Sequence, residues 1–239
     1  MSHTKNMQSF EKLMGICTGL GGNYNPGKQN LQVNAMTTLS TIAQQIGEEV
    51  REARKAYDNA TNAREQAFSD IRPLSSSIYF MLKSYGANTL LLADALNCKR
   101  RIWGAPISKP KAVDPEKAKE EKTGARPSYG QGYITIAEYF DRLVKTVASE
   151  PVYQANEPRL AVAGLQQKAT ELFSLNKAVA DAEIRLEEAR IKRNTVYYIA
   201  AESLVETAGA VKAYVRSVFG YDSQQHQQVQ KLRFTKPLM

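Results

Sequence analysis

The segment Gly22 to Gln29, GNYNPGKQ, comes within one residue of the pattern GxxxxGK[ST], in which glycine-rich backbone amides cradle a nucleotide's phosphates. That chemistry needs a hydroxyl after the lysine to hold magnesium, and here the position is Gln29. No apolar strand precedes the loop, and the second half of the chain has no glycines at the matching place. These departures favour a turn between helices. The two histidines are His3, near an expected frayed start, and His226, in a polar, glutamine-rich segment. No Glu-x-x-His pair offers a di-iron site, and no Ser-His-Asp or Cys-His set can be assembled. Cys17 and Cys98 belong to no CxxC pair and are expected to be small buried hydrophobes. The residue inventory therefore predicts no enzyme, no metal and no cofactor.

Two other sets of residues stand out. Arg64 and Arg193 occupy corresponding places in the two halves of the chain, each where an apolar residue is expected in a helix interface. An arginine there is costly unless paired, which makes both candidate register-setting residues. Snorkelling out of a drifting seam and anion binding are the other readings. Each half also closes on a basic and aromatic run, KRRIWGAP and KLRFTKP. Ile102, Trp103, Lys231, Leu232, Arg233, Phe234 and Lys236 are accordingly candidate interaction residues. They are expected to dock on their own chain, to dock on a neighbouring copy, or to stack on nucleic acid. The acids Glu48, Glu49, Glu52, Glu183, Glu187 and Glu188 mostly lie off the seam and alternate with Lys and Arg, as solvated helix faces do.

The elements that carry these residues are read from an internal duplication. Offsets of 129 and 130 pair Tyr24 with Tyr153, Leu31 with Leu160, Arg64 with Arg193, Phe10 with Phe140 and Leu13 with Leu143, and an offset of 132 pairs Lys99 with Lys231. Two repeats follow, 8–106 and 134–239, the second ending in the basic-aromatic tail. Each runs from a short amphipathic helix through a proline-containing turn to a very long helix, then to a short polar helix and the tail. The segment 107–133 is a basic, Lys- and Pro-rich linker. In the long helices, Met36, Ala43, Val50, Tyr57, Arg64 and Ile71 recur every seven residues, as do Leu165, Leu172, Val179, Leu186, Arg193 and Ala200. This heptad seam predicts tightly packed long helices. Pro73 predicts a kink or stop in the first copy. From Pro158 to Phe219 only Gly164 and Gly209 interrupt the pattern, so the second copy is expected to run on the order of 90 Å. The expected fold is all-α: an internally duplicated, elongated bundle, its two long helices packed antiparallel about a pseudo-two-fold axis with short helices at the ends.

The chain has 239 residues and a net charge of +8, and a local basic surplus of five lies between Lys99 and Arg126, across the end of the first repeat and the linker. The start shows no signal-peptide pattern and no apolar run is long enough to span a bilayer, so a cytoplasmic location is expected. The segments NYNP, TLST, VKAYVRSVFG and QVQKLRFTKP resemble a family of uncharacterised bacterial long-helix proteins. That resemblance implies a helical fold and no assigned activity. Seam, duplication and tail together lead to a non-enzymatic structural or scaffolding protein. It is expected to self-associate as oligomer, filament or tube, or to join another protein, through its long faces and C-terminal arm. A membrane-active helical bundle, pore-forming or lipid-binding, is the alternative, and a basic architectural nucleic-acid binder ranks behind both.

Overall fold

The computed structural model describes residues 2–104 and 132–236, so the linker predicted at 107–133 lies outside the described residues except for its last two. The chain is all-helical, with no strand among the described residues. In order it forms α1 (Ser2–Gly19), α2 (Val33–Phe68), α3 (Ile71–Ser84), α4 (Thr89–Ile102), α5 (Tyr133–Ala148), α6 (Val162–Asn194), α7 (Leu204–Phe219) and α8 (Gln224–Gln230). Taken across their bends, α2 with α3 and α6 with α7 form two long bent helices.

The chain divides into two compact units. One comprises Met1–Tyr57 and Ala182–Met239, the other Asp58–Asp181. Each takes helices from both sides of the segment 105–131. In the second unit α3, α4 and α5 bury Ile71, Ile78, Leu82, Ile102, Phe140 and Leu143 completely. In the first, α1, α7 and α8 bury Phe10, Leu13, Leu204, Val211, Val215 and Val229 to the same degree. Burying one such side chain is worth roughly 1.5–3 kcal/mol, so these faces decide where the short helices settle.

Local sequence sets the ends of the elements. Gly86 and Gly220, with φ of 71° and 88°, follow α3 and α7 in the left-handed region that costs glycine nothing. Asn88, Ser203 and Ser223 each accept a backbone N–H at the start of α4, α7 and α8. The glycine-rich loop between α1 and α2 is a turn. Gly21–Asn23 and Gln29–Leu31 are single turns of 3-10 helix, and the Tyr24 hydroxyl donates to the Leu31 carbonyl at 2.7 Å. The corresponding turn of the second repeat is closed the same way, Tyr153 donating to the Leu160 carbonyl at 2.8 Å.

The break predicted near Pro73 is present. Helix α2 ends at Phe68, and Pro73 sits in the first turn of α3, where its missing N–H leaves no helical bond unmade. The second long helix does not run through as predicted. It changes to a π-helical turn at Thr195–Ile199, and α7 restarts at Leu204, away from both Gly164 and Gly209. The restart is a capping sequence, Ser203-Leu-Val-Glu206, in which the serine hydroxyl accepts the Glu206 N–H. Gly164 has another role: a Cβ there would meet the Pro158 carbonyl oxygen at 2.6 Å. The bend also changes the repeat offset. Buried Ile71, Leu74, Ser75, Ile78 and Leu82 correspond to buried Leu204, Thr207, Ala208, Val211 and Val215 at an offset of 133, about one helical turn beyond 129.

Candidate functional site

The candidate residues fall into three places, the first being the tails. Ile102 is fully buried in the core of its unit, whereas Trp103 is about half exposed. The Trp103 indole N–H donates to the Arg72 carbonyl at 3.2 Å, and the Arg72 guanidinium returns a longer bond to the Ile102 carbonyl at 3.4 Å. The C-terminal run is likewise held by its own chain. Leu232 and Phe234 pack against the core of α1 and α7. Lys212 donates to the Leu232 carbonyl while its ammonium lies 5.1 Å from the centre of the Phe234 ring. Burial lowers the Lys212 pKa. Asn6, almost fully buried, receives the Thr235 N–H at 3.0 Å and donates to the Thr235 carbonyl at 2.8 Å, as a neighbouring strand would. Lys236 pairs with Glu206, and Lys231 and Arg233 are exposed.

The second and third places surround the two seam arginines. In the Asp58–Asp181 unit the Arg64 guanidinium lies over the Tyr133 ring, 4.2 Å from its centre, and Phe68 meets that ring edge-on at 5.0 Å. The Arg64 Nε is buried without a hydrogen-bond partner. The ring therefore takes the place of the acid or carbonyl partner expected for such an arginine. Asn176 donates to the Tyr133 carbonyl at 3.2 Å and closes the far side.

In the other unit, the offset of 129 carries Arg64 to Arg193 and Phe68 to Tyr197, and the offset of 130 carries Tyr133 to His3. His3 meets Tyr197 edge-on at 5.6 Å, and its Nδ1 is 2.9 Å from the Tyr198 hydroxyl. The ring that an arginine covers in one unit is thus a titratable imidazole in the other. Burial, followed by the nearby Arg193 charge, holds the His3 pKa down to about 4. Arg193 donates through Nε and Nη2 to the Asn194 Oδ1 at 3.3 and 3.0 Å, and no carboxylate among the described residues is within ion-pair distance of it. The cleft beside it, about 710 Å³, is bordered by α1, α2 and the π-helical turn.

Sequence reading missed His3 because it was placed in a frayed start. The signal was the offset itself, which sets His3 opposite an aromatic residue beside a matched arginine. His226 is also buried, within the first turn of α8, its Nδ1 2.8 Å from the Tyr221 carbonyl and its backbone N–H donated to the Ser223 cap. Cys17 and Cys98 are free and buried, as expected, and burial pushes the Cys17 thiol up to about 11, which makes it a poor nucleophile. No described helix is long and apolar enough to cross a membrane. No protein-family model matches the chain, and neither a curated protein nor a solved structure is similar to it.

Proposed function

We propose that the protein is a non-catalytic structural or scaffolding component that self-associates through the faces of its long helices and by exchange of its C-terminal arm. The observation that carries this reading is the apolar ridge on α6. Ile184 and Ile191, seven residues apart on one helix face, are 59% and 62% exposed, and ion pairs such as Arg190 with Glu187 lie beside them. Isoleucines repeated on a charged helix are the pattern of a contact surface. The corresponding residues of the first repeat, at an offset of 129, are Lys55 and Asn62, so the ridge belongs to one repeat only and favours a head-to-tail contact.

The arm supports the same reading. Asn6, Lys212 and Glu206 form a receptor for residues 232–236, and a receptor filled by a chain's own tail fits the tail of another copy equally well. Exchange of that kind needs no new surface. We further read the two repeats as packed antiparallel on a heptad seam about a pseudo-two-fold axis. Reciprocal contacts support this: Tyr24 meets Tyr214 edge-on at 5.3 Å, and Tyr153, the counterpart of Tyr24, meets Tyr85 at 6.0 Å. So does the spacing of covered positions on α6, where Leu165, Leu172, Val179 and Leu186 are buried every seventh residue.

Light scattering over a concentration range tests the proposal on three chains: intact, truncated after Lys231, and Ile184→Lys/Ile191→Lys. The intact protein is expected to gain mass with concentration and both variants to lose that gain. Three monomers at every concentration would overturn self-association.

A further inference from the structure

The two seam arginines occupy matched positions but their surroundings have diverged, and all the divergence is on one side. Around Arg64 the space is filled. Tyr133 lies under the guanidinium, Asn176 is bonded to the Tyr133 backbone, and Ala180 follows one turn later. Around Arg193 the three counterparts are His3, Gly47 and Arg51. Gly47 leaves open the space that the Asn176 side chain takes in the other unit, and a Cβ built on it meets nothing within 4 Å. The result is the cleft of about 710 Å³ bordered by Met7, Val50 and Tyr197 as well as by Arg51, Glu48 and Arg193. A π-helical turn, itself frequent at functional sites, presents Tyr197 to it.

The charges in the cleft select the ligand. Arg51 is engaged by Glu48, whereas the Arg193 guanidinium has no carboxylate among the described residues in ion-pair range and feels Glu187, itself paired with Arg190, only at longer distance. One net positive charge matches a monoanion. With Nε and one Nη2 hydrogen of Arg193 held by Asn194, the Nη1 and Nη2 end of the guanidinium suits a carboxylate, and the Met7, Val50 and Tyr197 surfaces suit an apolar body. We propose that this cleft binds a small organic carboxylate, its head on Arg193 and its body against Met7, Val50 and Tyr197. The proposal is independent of self-association.

The probe is benzoate, added at low ionic strength to the full chain, with inorganic phosphate as the comparison. The readouts are the His3 ring resonances and the heat of binding. Benzoate is expected to shift the His3 resonances saturably and to raise the His3 pKa, because a bound anion offsets the Arg193 charge. Arg193→Gln should weaken binding by about tenfold or more, the loss of one charge-assisted pair. Gly47→Asn, which restores the filling residue of the other unit at a position with room for it, should abolish binding while the helical circular dichroism stays unchanged. No saturable shift with benzoate would overturn the assignment. So would undiminished binding by a folded Gly47→Asn chain, or a response to phosphate with none to benzoate.

Discussion

His3 is half-buried against Tyr197 and Tyr198, with Arg193 close by and Arg51 and Glu48 on the facing helix. Its pKa is about 4 in the folded chain against 6.5 for an ordinary histidine, so between those values the unfolded chain binds the extra proton. Stability contributed by neutral His3 is therefore present above 6.5 and is lost progressively as pH falls to about 4. Urea midpoints measured across this window should fall with pH, and the fall should be shallower in His3→Gln. At Arg64 two effects oppose each other. The stack on Tyr133 contributes roughly 0.5–2 kcal/mol, and the buried, unbonded Nε costs a similar amount. Arg64→Leu is thus expected to change unfolding free energy by less than about 1 kcal/mol, measured by urea titration. A large loss would mean that the arginine has a role that neither contact explains. The heptad spacing made both arginines legible as misfits in an apolar row. The ring under Arg64 and the imidazole beside Arg193 were not legible, because Tyr133 and His3 come from helices far away in sequence.

At the scale of elements, two tyrosines 129 residues apart make matching bonds. Tyr24 and Tyr153 each reach seven residues forward to a leucine carbonyl and pin the turn that starts a long helix. Burial is the main influence raising both hydroxyl pKa values, Tyr153 to about 12, so each remains a donor at any ordinary pH. Tyr24→Phe and Tyr153→Phe should each cost about 1–2 kcal/mol, since a carbonyl loses its partner. As the two sites lie in different compact units, the double variant should show the sum in calorimetry or denaturant titration. Most helices could be read from periodicity, and the first bend from Pro73, because one residue carries a cost of about 3 kcal/mol inside a helix. The second bend has no such residue. It is produced by a serine cap, a π-helical turn and the packing of Tyr197 and Tyr198, several weak terms of which only the Ser203–Glu206 spacing was visible in the sequence.

For the molecule as a whole, the decisive fact is that α2 and α6 each pass without interruption through both compact units. Unfolding of either unit is therefore expected to fray a helix whose residues continue into the other. Phe10→Ala, in the core of one unit, should cost about 3–5 kcal/mol. It should also shift the unfolding transition reported by Trp103, the only tryptophan, which belongs to the other unit. A Trp103 transition unmoved by Phe10→Ala would show that the units unfold separately. A nearly constant offset between matching residues was legible in the sequence. The composition of the units was not, since that depends on which copy's short helices settle on which.

The same interleaving has a consequence for a chain emerging from the ribosome. Helix α1 is made well before α7 and α8, the helices that cover it. At roughly 5–20 residues per second α1 waits on the order of 10–40 s with Phe10 and Leu13 unshielded, while Asp58–Asp181, one unbroken stretch, can close in the meantime. An early helix is thus a late-finished one, and during translation it is α1 that a chaperone, or a second nascent chain, would meet.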